Sequence, residues 1–357
     1  MIKMRFPTPN RRRLARRSDG FTRIDLIATV LLVMLLGLLT VPTLTRASQA
    51  TIGSSCIDNQ RLICSAWQQY AADHSDRLVN NFTIPDTYNT INNGQFDNWT
   101  ANVVDWTTKS DNTNLTYFQQ AKLFPYLQGN NLAFKCAADT FRSSAQIAAQ
   151  WPNGRIRSYS MNACMGKTGV NDSSVNNGIS SWVPGKRQFL KTASIPNPGN
   201  VFVFLDEHPD SINDGFFVEN PSVLQWGDIP ASQHNGGCGF GFADGHGEIH
   251  IWTYNATKVP VKYNFNSPPP MSPSTSADYV WLTSRMAVDP TALAVRLRAN
   301  GAEIAWSALP TTYVLEANLD LSSSNWTPID PQPTLDYGTR SAIVDSSNAA
   351  SFFRLRK

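Results

Sequence analysis

The stretch GFTRIDLI at residues 20–27 separates a basic leader from an apolar run. The leader, residues 1–20, carries seven Lys and Arg residues against one acid. The run LIATVLLVMLLGLLTV at residues 26–41 contains no charge. Basic segments stay on the cytoplasmic side of a membrane, and an apolar run that its flanks extend to roughly 20 residues can span a bilayer. The sequence therefore predicts an N-terminal transmembrane helix and a single-pass protein of the inner (cytoplasmic) membrane, with its head in the periplasm or at the cell surface.

Asp25 lies at the start of the apolar run, where an ionisable group is costly without a partner. Cleavage of the chain after Gly20 would create a partner, because the new α-amino group of Phe21 would be a cation near the same end of the helix. A carboxylate on one subunit could then neutralise the terminal amine of its neighbour. Gly20, Phe21 and Asp25 are accordingly predicted to form a processing and assembly site.

These residues resemble the class III signal of type IV pilins and type II secretion pseudopilins, in which Gly-Phe-Thr-Leu-Ile-Glu precedes an apolar helix. The resemblance implies that a prepilin peptidase cleaves after Gly20 and methylates Phe21, and that the helix then packs against other pilin or pseudopilin subunits. In this chain Asp25 stands at the place of the family's Glu, and Arg23 stands where an apolar residue is usual.

Two other interpretations of the N-terminus are open. One is a secretory signal with cleavage after Ser48-Gln49-Ala50, a small-x-small site. The other is an anchor helix that is never cleaved. The apolar run is longer than the 7–15 residues typical of a secretory signal, which favours the pilin-like interpretation.

The charge balance argues against nucleic acid as a partner. The chain holds 30 Lys and Arg residues against 27 Asp and Glu residues, but the leader supplies seven of the bases and only one of the acids. The remainder is slightly acidic and lacks the basic footprint that nucleic-acid binding needs. Its low charge and its many Asn, Ser and Thr residues instead favour an exported β-rich protein with many turns.

The five cysteines are Cys56, Cys64, Cys136, Cys164 and Cys238. No C-x-x-C pair is present, which argues against a thiolate zinc cluster. Cys56 and Cys64 would lie roughly 12 Å apart on one helix at 1.5 Å per residue, too far for a bridge. The candidate disulfide pairs Cys136 with Cys164.

The pattern divides the chain into a leader at 1–20, an assembly helix at 21–75, a pilin-like head at 76–285 and a C-terminal β-module at 286–357. Beyond the apolar run, the helix keeps one apolar face onto which the head would pack; this face comprises Leu62, Ile63, Ala66, Trp67 and Tyr70. The predicted fold class is α+β, with a long transmembrane helix packed on an antiparallel-sheet head and a small C-terminal all-β domain.

An acidic cluster follows a predicted buried strand at residues 201–205. Its carboxylates could bind Ca²⁺, which prefers oxygen ligands, although the spacing differs from that of an EF-hand. The candidate calcium ligands are Asp206, Glu207, Asp210 and Asp214. The alternative is an acidic surface loop that binds no metal.

A second informative stretch surrounds Asp244-Gly245, an Asp-Gly pair between alternating runs that predicts a two-residue hairpin turn. With this turn, Phe240 and Phe242 would share one face with Ile249 and Ile251 of the opposing strand. The other face would carry His246, Glu248 and His250, with His234 nearby. The histidines form a candidate zinc set, and the group could instead serve as acid and base. A solvated polar face explains the same alternation without a metal.

His234, nine intervening residues and Asp244-Gly245 resemble the H-X9-DG domain of large bacterial pilin-like families. Further motif pieces of this resemblance are Cys56-Ile-Asp-Asn59, Lys135-Cys136-Ala-Ala-Asp139, Arg157-Ser-Tyr-Ser-Met-Asn162 and Asp206-Glu207. The resemblance covers roughly residues 20–285 and implies an architecture more than an activity.

After residue 290 a new strand pattern begins, with an Asn300-Gly301 turn between alternating runs. The last part of the chain resembles a C-terminal β-module of exported bacterial proteins, whose ligand the sequence does not identify.

The sequence as a whole predicts a structural subunit of a pilin-like filament or a type II secretion pseudopilus, and not an enzyme. Its predicted partners are a prepilin peptidase, other subunits and the inner membrane. One alternative is a membrane-anchored surface binding protein that does not polymerise. The other is a metal-dependent hydrolase at the histidine-rich hairpin. Calcium is the one cofactor that the sequence suggests beyond the zinc set.

Overall fold

The computed structural model describes residues 23–223, 225–264, 276–309, 313–330, 332–345 and 351–357. Within helices it describes only the backbone of residues 25, 35–52 and 276. The predicted leader and the cleavage residues Gly20 and Phe21 therefore lie outside the described part of the chain. Two compact units are distinguished, residues 1–48 and 49–357.

The longest element is helix α1, which spans Arg23–Asp73. Within the first unit of the chain, the described apolar side chains of α1 from Ile24 to Met34 are exposed. None of the helices in the described ranges combines the length and the apolar content that a membrane crossing requires. The predictions of a transmembrane helix and of a single-pass inner-membrane location are thus wrong.

Five shorter helices follow α1 within the described residues. Asn114 and Ser143 cap two of them with their side-chain oxygens, and Ser143 forms a full capping box with Gln146. The helices are α2 (Ile84–Asn92), α3 (Leu115–Gln120), α4 (Ser144–Ala148), α5 (Ser174–Asn177) and α6 (Ser276–Met286), and 3-10 turns cover Ser110–Asn112, Phe124–Leu127, Thr192–Ser194, Pro198–Asn200 and Asn255–Thr257.

Twelve described strands form three sheets. The strands are β1 (Tyr159–Asn162), β2 (Phe202–Asp206), β3 (Phe216–Phe217), β4 (Gly237–Phe242), β5 (Gly247–Ile251), β6 (Ala294–Arg298), β7 (Gly301–Ser307), β8 (Val314–Asn318), β9 (Thr327–Pro328), β10 (Thr334–Asp336), β11 (Thr339–Val344) and β12 (Phe352–Arg356). The sheet orders are β3-β1-β2-β4-β5, β10-β11-β7-β6 and β12-β8-β9.

The head sheet is mixed, because β1 pairs with β3 in parallel while its other pairs are antiparallel. Strand β2 is central and buried along its whole length, as its apolar run predicts. The predicted fold class, an antiparallel-sheet head on a transmembrane helix, is therefore wrong. The described chain is a mixed arrangement of helices and three sheets.

The β4–β5 hairpin is present, but its register differs from the prediction. A bond from the amide of Gly245 to the carbonyl of Phe242 closes a turn, and Phe242 then pairs with His246. The loop thus holds three residues rather than two, with Gly245 at φ +96°. Phe240 consequently lies opposite Glu248, and not Ile249. A slip of one residue exchanges the two faces of a strand, so the phenylalanines share their face with the polar side chains.

The two faces of this hairpin contact different helices. On one face His250 stacks on Trp281 of α6 with ring centroids 3.5 Å apart, and Phe240 meets the same indole edge-on. The other face consists of glycines along β4, and α1 packs against it through Gln60 and Cys64. Glycines in a strand mark close approach of another backbone, which accounts for the glycine-rich sequence GGCGFGF at residues 236–242.

A second, smaller hydrophobic core lies between the C-terminal sheets around Ile304, Trp306 and Leu315. The buried side chain of Arg187 connects these sheets to the head. Its guanidinium donates to the carbonyls of Ser194 and Pro290, both at 2.7 Å, and to the hydroxyl of Ser307 on β7 at 3.2 Å.

Candidate functional site

Two thiols, an imidazole and a carboxylate meet in the interior of the second unit. Sγ of Cys56 lies 2.7 Å from Sγ of Cys136, which lies 3.3 Å from Nε2 of His234. The same Nε2 atom lies 3.0 Å from Oδ2 of Asp206. All four side chains are buried, and His234, at 6% exposure, is the most accessible of them. We refer to these four residues as the thiol–imidazole cluster.

Helix α1 presents two residues of the CIDN motif to the segment that carries Cys136. Cys56 and Asn59 are three positions apart and therefore lie on one side of the helix. While Cys56 contacts Cys136, Nδ2 of Asn59 donates to the carbonyl of Lys135 at 3.0 Å. The motif thus fixes the backbone beside Cys136 as well as its thiol.

The segment around Cys136 is also held from the head side. Nζ of Lys135 and Oγ of Ser158 both donate to Oδ2 of Asp139 at 2.7 Å, and the amide of Asp139 donates to the carbonyl of Cys136 at 3.0 Å. Burial raises the pKa of Asp139, but Lys135 and the other neighbouring donors outweigh it and lower that pKa. A charged carboxylate therefore holds the turn of the KCAAD motif.

Asp206 and His234 come from the sheet and from the turn that precedes β4. Asp206 ends β2, and the amide of Gly239 on β4 donates to its Oδ2 at 3.1 Å. The turn after His234 is tight, with φ of +54° at Asn235 and +83° at Gly236. The amide of Gly237 donates to the carbonyl of His234 at 3.0 Å. The turn thus directs the ring of His234 into the core instead of out to solvent.

The electrostatics of the cluster favour a thiolate beside an imidazolium. The hydrogen bond from Cys136 lowers the pKa of Cys56 despite burial, and His234 lowers it further. The same hydrogen bond, together with burial, raises the pKa of Cys136. One proton therefore stays on the pair of Cys56 and Cys136. Burial lowers the pKa of His234, but Asp206 and Cys56 outweigh it and raise that pKa to about 10.

Burial raises the pKa of Asp206 to about 6, while His234 opposes the shift. Its second oxygen, Oδ1, is buried and has no hydrogen-bond partner among the described residues. The carboxylate of Asp206 therefore has one buried oxygen that accepts no hydrogen bond from the described residues.

Two cavities reach the cluster from the surface. One of about 550 Å³ is lined by His234 together with residues of α1 and β5, including Ile57 and Ile249. The other, of about 350 Å³, is lined by Cys136, Lys135 and Asp139 among others. The two cavities therefore border the cluster, whereas the cluster itself is enclosed.

The three histidines of the candidate zinc set do not share one site. His234 belongs to the thiol–imidazole cluster. His246 stacks on Phe242 and contacts Oδ1 of Asp244 through Nδ1 at 2.6 Å. His250 stacks on the indole of Trp281.

The four candidate calcium ligands are buried rather than part of an acidic surface loop, and each has its own neighbours. Asp206 faces His234, and Glu207 accepts from the hydroxyl of Ser211 at 2.7 Å. Asp210 accepts from the indole of Trp106 at 2.9 Å, and Asp214 from the amide of Phe216 at 3.1 Å. Their carboxylates thus serve as acceptors inside the head.

The remaining predicted residues have separate positions. All five cysteines are free thiols, and no disulfide joins Cys136 to Cys164. Asp244 and Gly245 form the hairpin turn next to His246. For Asp25 the structure describes the helical backbone alone.

The proximity of the two thiols to His234 is not predicted from the sequence. Cys56 and Cys136 are 80 residues apart, and Cys136 and His234 are 98 residues apart. A signal was nevertheless present, since each of the four residues belongs to a motif of the H-X9-DG resemblance. Motifs that are remote in sequence and that each contain a chemically reactive residue are candidates for one common site.

Comparisons with protein-family models, with curated proteins and with solved structures find no match to this chain. The resemblance to pilin-like families is therefore carried by the quoted motifs alone.

Proposed function

We propose that this protein is a structural subunit of a pilin-like filament or a type II secretion pseudopilus. The observation that carries the proposal is that the described apolar side chains of α1 in the first unit, residues 1–48, are exposed. The exposed residues are Ile24, Leu26, Ile27, Val30, Leu31, Leu32, Val33 and Met34. Full burial of one such side chain contributes roughly 1.5–3 kcal/mol, so this segment gains stability by associating.

The pattern favours several neighbours over a single docking groove. Residues 30–34 are consecutive and all exposed and apolar, and five residues exceed one helical turn of 3.6 residues. A groove covers one face of a helix, whereas a helix that is apolar all round requires cover on every side. A bundle of the same helix from several copies provides that cover.

The motif at residues 20–25 supports the same proposal. Cleavage after Gly20 by a prepilin peptidase would leave Phe21 as the N-terminus, four residues before Asp25. The terminal amine of one copy would then pair with the Asp25 carboxylate of the next, which fixes the axial offset between neighbouring helices.

The proposal is tested by crosslinking the full chain in the cells that produce it. Cysteines in place of both Leu31 and Val33, which lie on opposite sides of the helix, should give a ladder of crosslinked oligomers with a short thiol-specific reagent, because each copy can then be joined to two neighbours. Cysteines in place of both Leu132 and Ile147, exposed apolar side chains of the head, are the matched control. A ladder from the helix pair and not from the head pair supports helix bundling. Absence of a ladder from the helix pair overturns it in favour of a binding protein that does not polymerise.

Processing is tested by intact-mass and N-terminal analysis of the same material. A chain that begins at N-methylated Phe21 is expected. A chain that begins at Thr51 would indicate a secretory signal and would contradict the pilin-like function.

A further inference from the structure

We propose that the thiol–imidazole cluster is a zinc site, in which Cys56, Cys136, His234 and Asp206 bind one Zn²⁺ ion and fasten α1 to the head. This inference concerns the second unit alone and is independent of whether the protein forms filaments. Among the described residues, the one group of His, Cys, Asp and Glu side chains whose potential ligand atoms all lie within 4.8 Å of one another is Cys56, Cys136 and His234. Asp206 is outside this group, although its Oδ2 lies 3.0 Å from Nε2 of His234, so its carboxylate must move toward the sulfurs for all four residues to bind one ion.

Two potential ligands of the ion approach the same nitrogen atom of His234. Nε2 of His234 lies 3.0 Å from Oδ2 of Asp206 and 3.3 Å from Sγ of Cys136. A ring nitrogen offers either one hydrogen or one lone pair, so hydrogen bonding could serve both neighbours only through one shared, three-centre bond. A cation between the nitrogen, the oxygen and the sulfurs satisfies all of them at once.

The separations between Nε2 of His234 and its two neighbours are close to those between ligand atoms of tetrahedral zinc. With Zn–S near 2.3 Å and Zn–N or Zn–O near 2.0–2.1 Å, tetrahedral geometry places S and N roughly 3.6 Å apart and N and O roughly 3.3 Å apart. The observed separations are 3.3 and 3.0 Å. Two zinc-bound sulfurs lie roughly 3.8 Å apart, so Cys56 and Cys136, now at 2.7 Å, separate by about 1 Å when the metal binds.

The sulfur, nitrogen and oxygen atoms of the cluster are donor types that favour zinc. Two thiolates and an imidazole are soft or borderline ligands that suit zinc and not magnesium or calcium, which prefer oxygen. Asp206 supplies the fourth ligand from a buried carboxylate that has an unpartnered Oδ1. Four protein ligands in a closed, buried site are typical of structural zinc, whereas catalytic zinc retains an open position.

The surrounding hydrogen bonds resemble the outer shell of a metal site, whose partners orient the ligands. The amide of Gly239 holds Asp206, and Asn59 together with Asp139 holds the backbone beside Cys136. These bonds hold the backbone beside Cys136 and the carboxylate of Asp206 in place.

The four ligands belong to α1, to the loop before α4, to the end of β2 and to the turn before β4. One ion would therefore crosslink four remote segments. Because the unfolded chain does not assemble this site, zinc binding stabilises the folded form in proportion to the logarithm of free zinc.

The test uses the full chain, purified in reductant, stripped with a chelator and then titrated with ZnCl₂. We expect one equivalent of bound zinc per chain and a rise in the melting temperature with free zinc. Cys56→Ala and His234→Ala should abolish both effects. Cys164→Ala and His250→Ala, a buried thiol and a histidine outside the cluster, should retain them.

A cobalt titration of the unaltered chain covers the case in which the cluster variants fail to fold. Co²⁺ in this site should give the intense visible bands of tetrahedral coordination and a thiolate-to-cobalt charge-transfer band. Weak octahedral bands, or no bound metal, would overturn the proposal. Isolation of the protein with Cys56 and Cys136 joined as a disulfide that zinc and reductant do not open would also overturn it.

Discussion

Gly241 on β4 lies directly beneath Cys64 on α1, and a Cβ atom at position 241 would come within 2.5 Å of the Cys64 sulfur. At Gly239 a Cβ atom would meet Oδ2 of Asp206 at 2.8 Å. The distance between helix and strand is therefore set by the absence of side chains on one face of β4. This close contact also brings Cys56 of the same helix to Cys136.

Replacement of Gly241 by alanine should destabilise the protein by about 1–3 kcal/mol, because overpacking forces the helix or the strand to move. The measurement is urea unfolding of the full chain. Gly169→Ala is the control, since the added methyl would meet only the carboxylate end of the Asp86 side chain, which can move. If Cys64→Ala in the Gly241→Ala background restores none of the lost stability, this steric explanation is wrong.

The hairpin shows how much of the fold the sequence predicts and where it fails. Its strands and the turn at Gly245 follow from alternation and from the Asp-Gly pair. The faces do not, because loops of two and three residues both accept glycine at positive φ yet differ by one residue in register. The deciding factor is tertiary, since the glycine face is the one on which α1 can pack.

The thiol–imidazole cluster is a second case of partial prediction. His234 and Asp206 are each identified from their chemistry, but as members of two different metal sites. Only the fold brings them together, since the end of β2 and the turn before β4 are neighbours in the sheet. Spacing along the chain identifies ligands on one element, whereas this cluster draws each of its ligands from a different segment.

Asn59→Ala should cost about 1 kcal/mol of stability, because the carbonyl of Lys135 loses a donor at 3.0 Å in a partly buried position. Thermal or urea unfolding measures the loss. Its neighbour Asp58 is exposed and pairs only with Arg61 one turn away, so Asp58→Ala should change stability by less than about 0.5 kcal/mol. Equal effects of the two changes would contradict the role assigned to Asn59.

Asp214→Asn should make the protein more stable at neutral pH and leave it unchanged near pH 4. Burial raises the pKa of Asp214 from 3.8 to about 6, although the amide of Phe216 and the charge of Arg157 oppose the shift. The folded state therefore binds this proton more tightly than the unfolded state, and stability falls as the pH rises from about 3.8 to about 6. At 1.36 kcal/mol per unit, the loss above that range reaches up to about 3 kcal/mol.

Asparagine retains an acceptor for the amide of Phe216 but never becomes charged. Urea unfolding at a series of pH values should thus show a smaller decline for Asp214→Asn than for the unaltered chain. The exposed control Asp58→Asn should follow the unaltered chain. An identical decline in all three proteins would show that Asp214 does not carry this pH dependence.

Glu316 should make the stability of the C-terminal sheets fall in acid. Its Oε1 accepts from Nε of Arg356 at 2.6 Å, and its Oε2 accepts from Nε and Nη2 of Arg354 at 3.0 and 2.9 Å. The bond to Arg356 has the largest effect on the pKa of Glu316 and lowers it; burial opposes this shift, and the bond to Arg354 lowers the pKa further. A lowered carboxyl pKa gives stability that is present above the ordinary value of 4.5 and is lost as the pH falls through the folded-state pKa.

Glu316→Gln should therefore unfold more readily than the unaltered chain at pH 7, and the two should converge as the pH falls below the folded-state pKa of Glu316. Trp326 is a suitable probe, because the Arg354 guanidinium lies 4.3 Å from its ring centroid and moves when the ion pair opens. Both arginines are about half exposed and remain solvated without the carboxylate, so the variant should still fold. A constant difference between the two proteins at every pH would indicate that Glu316 acts through packing and not through its charge.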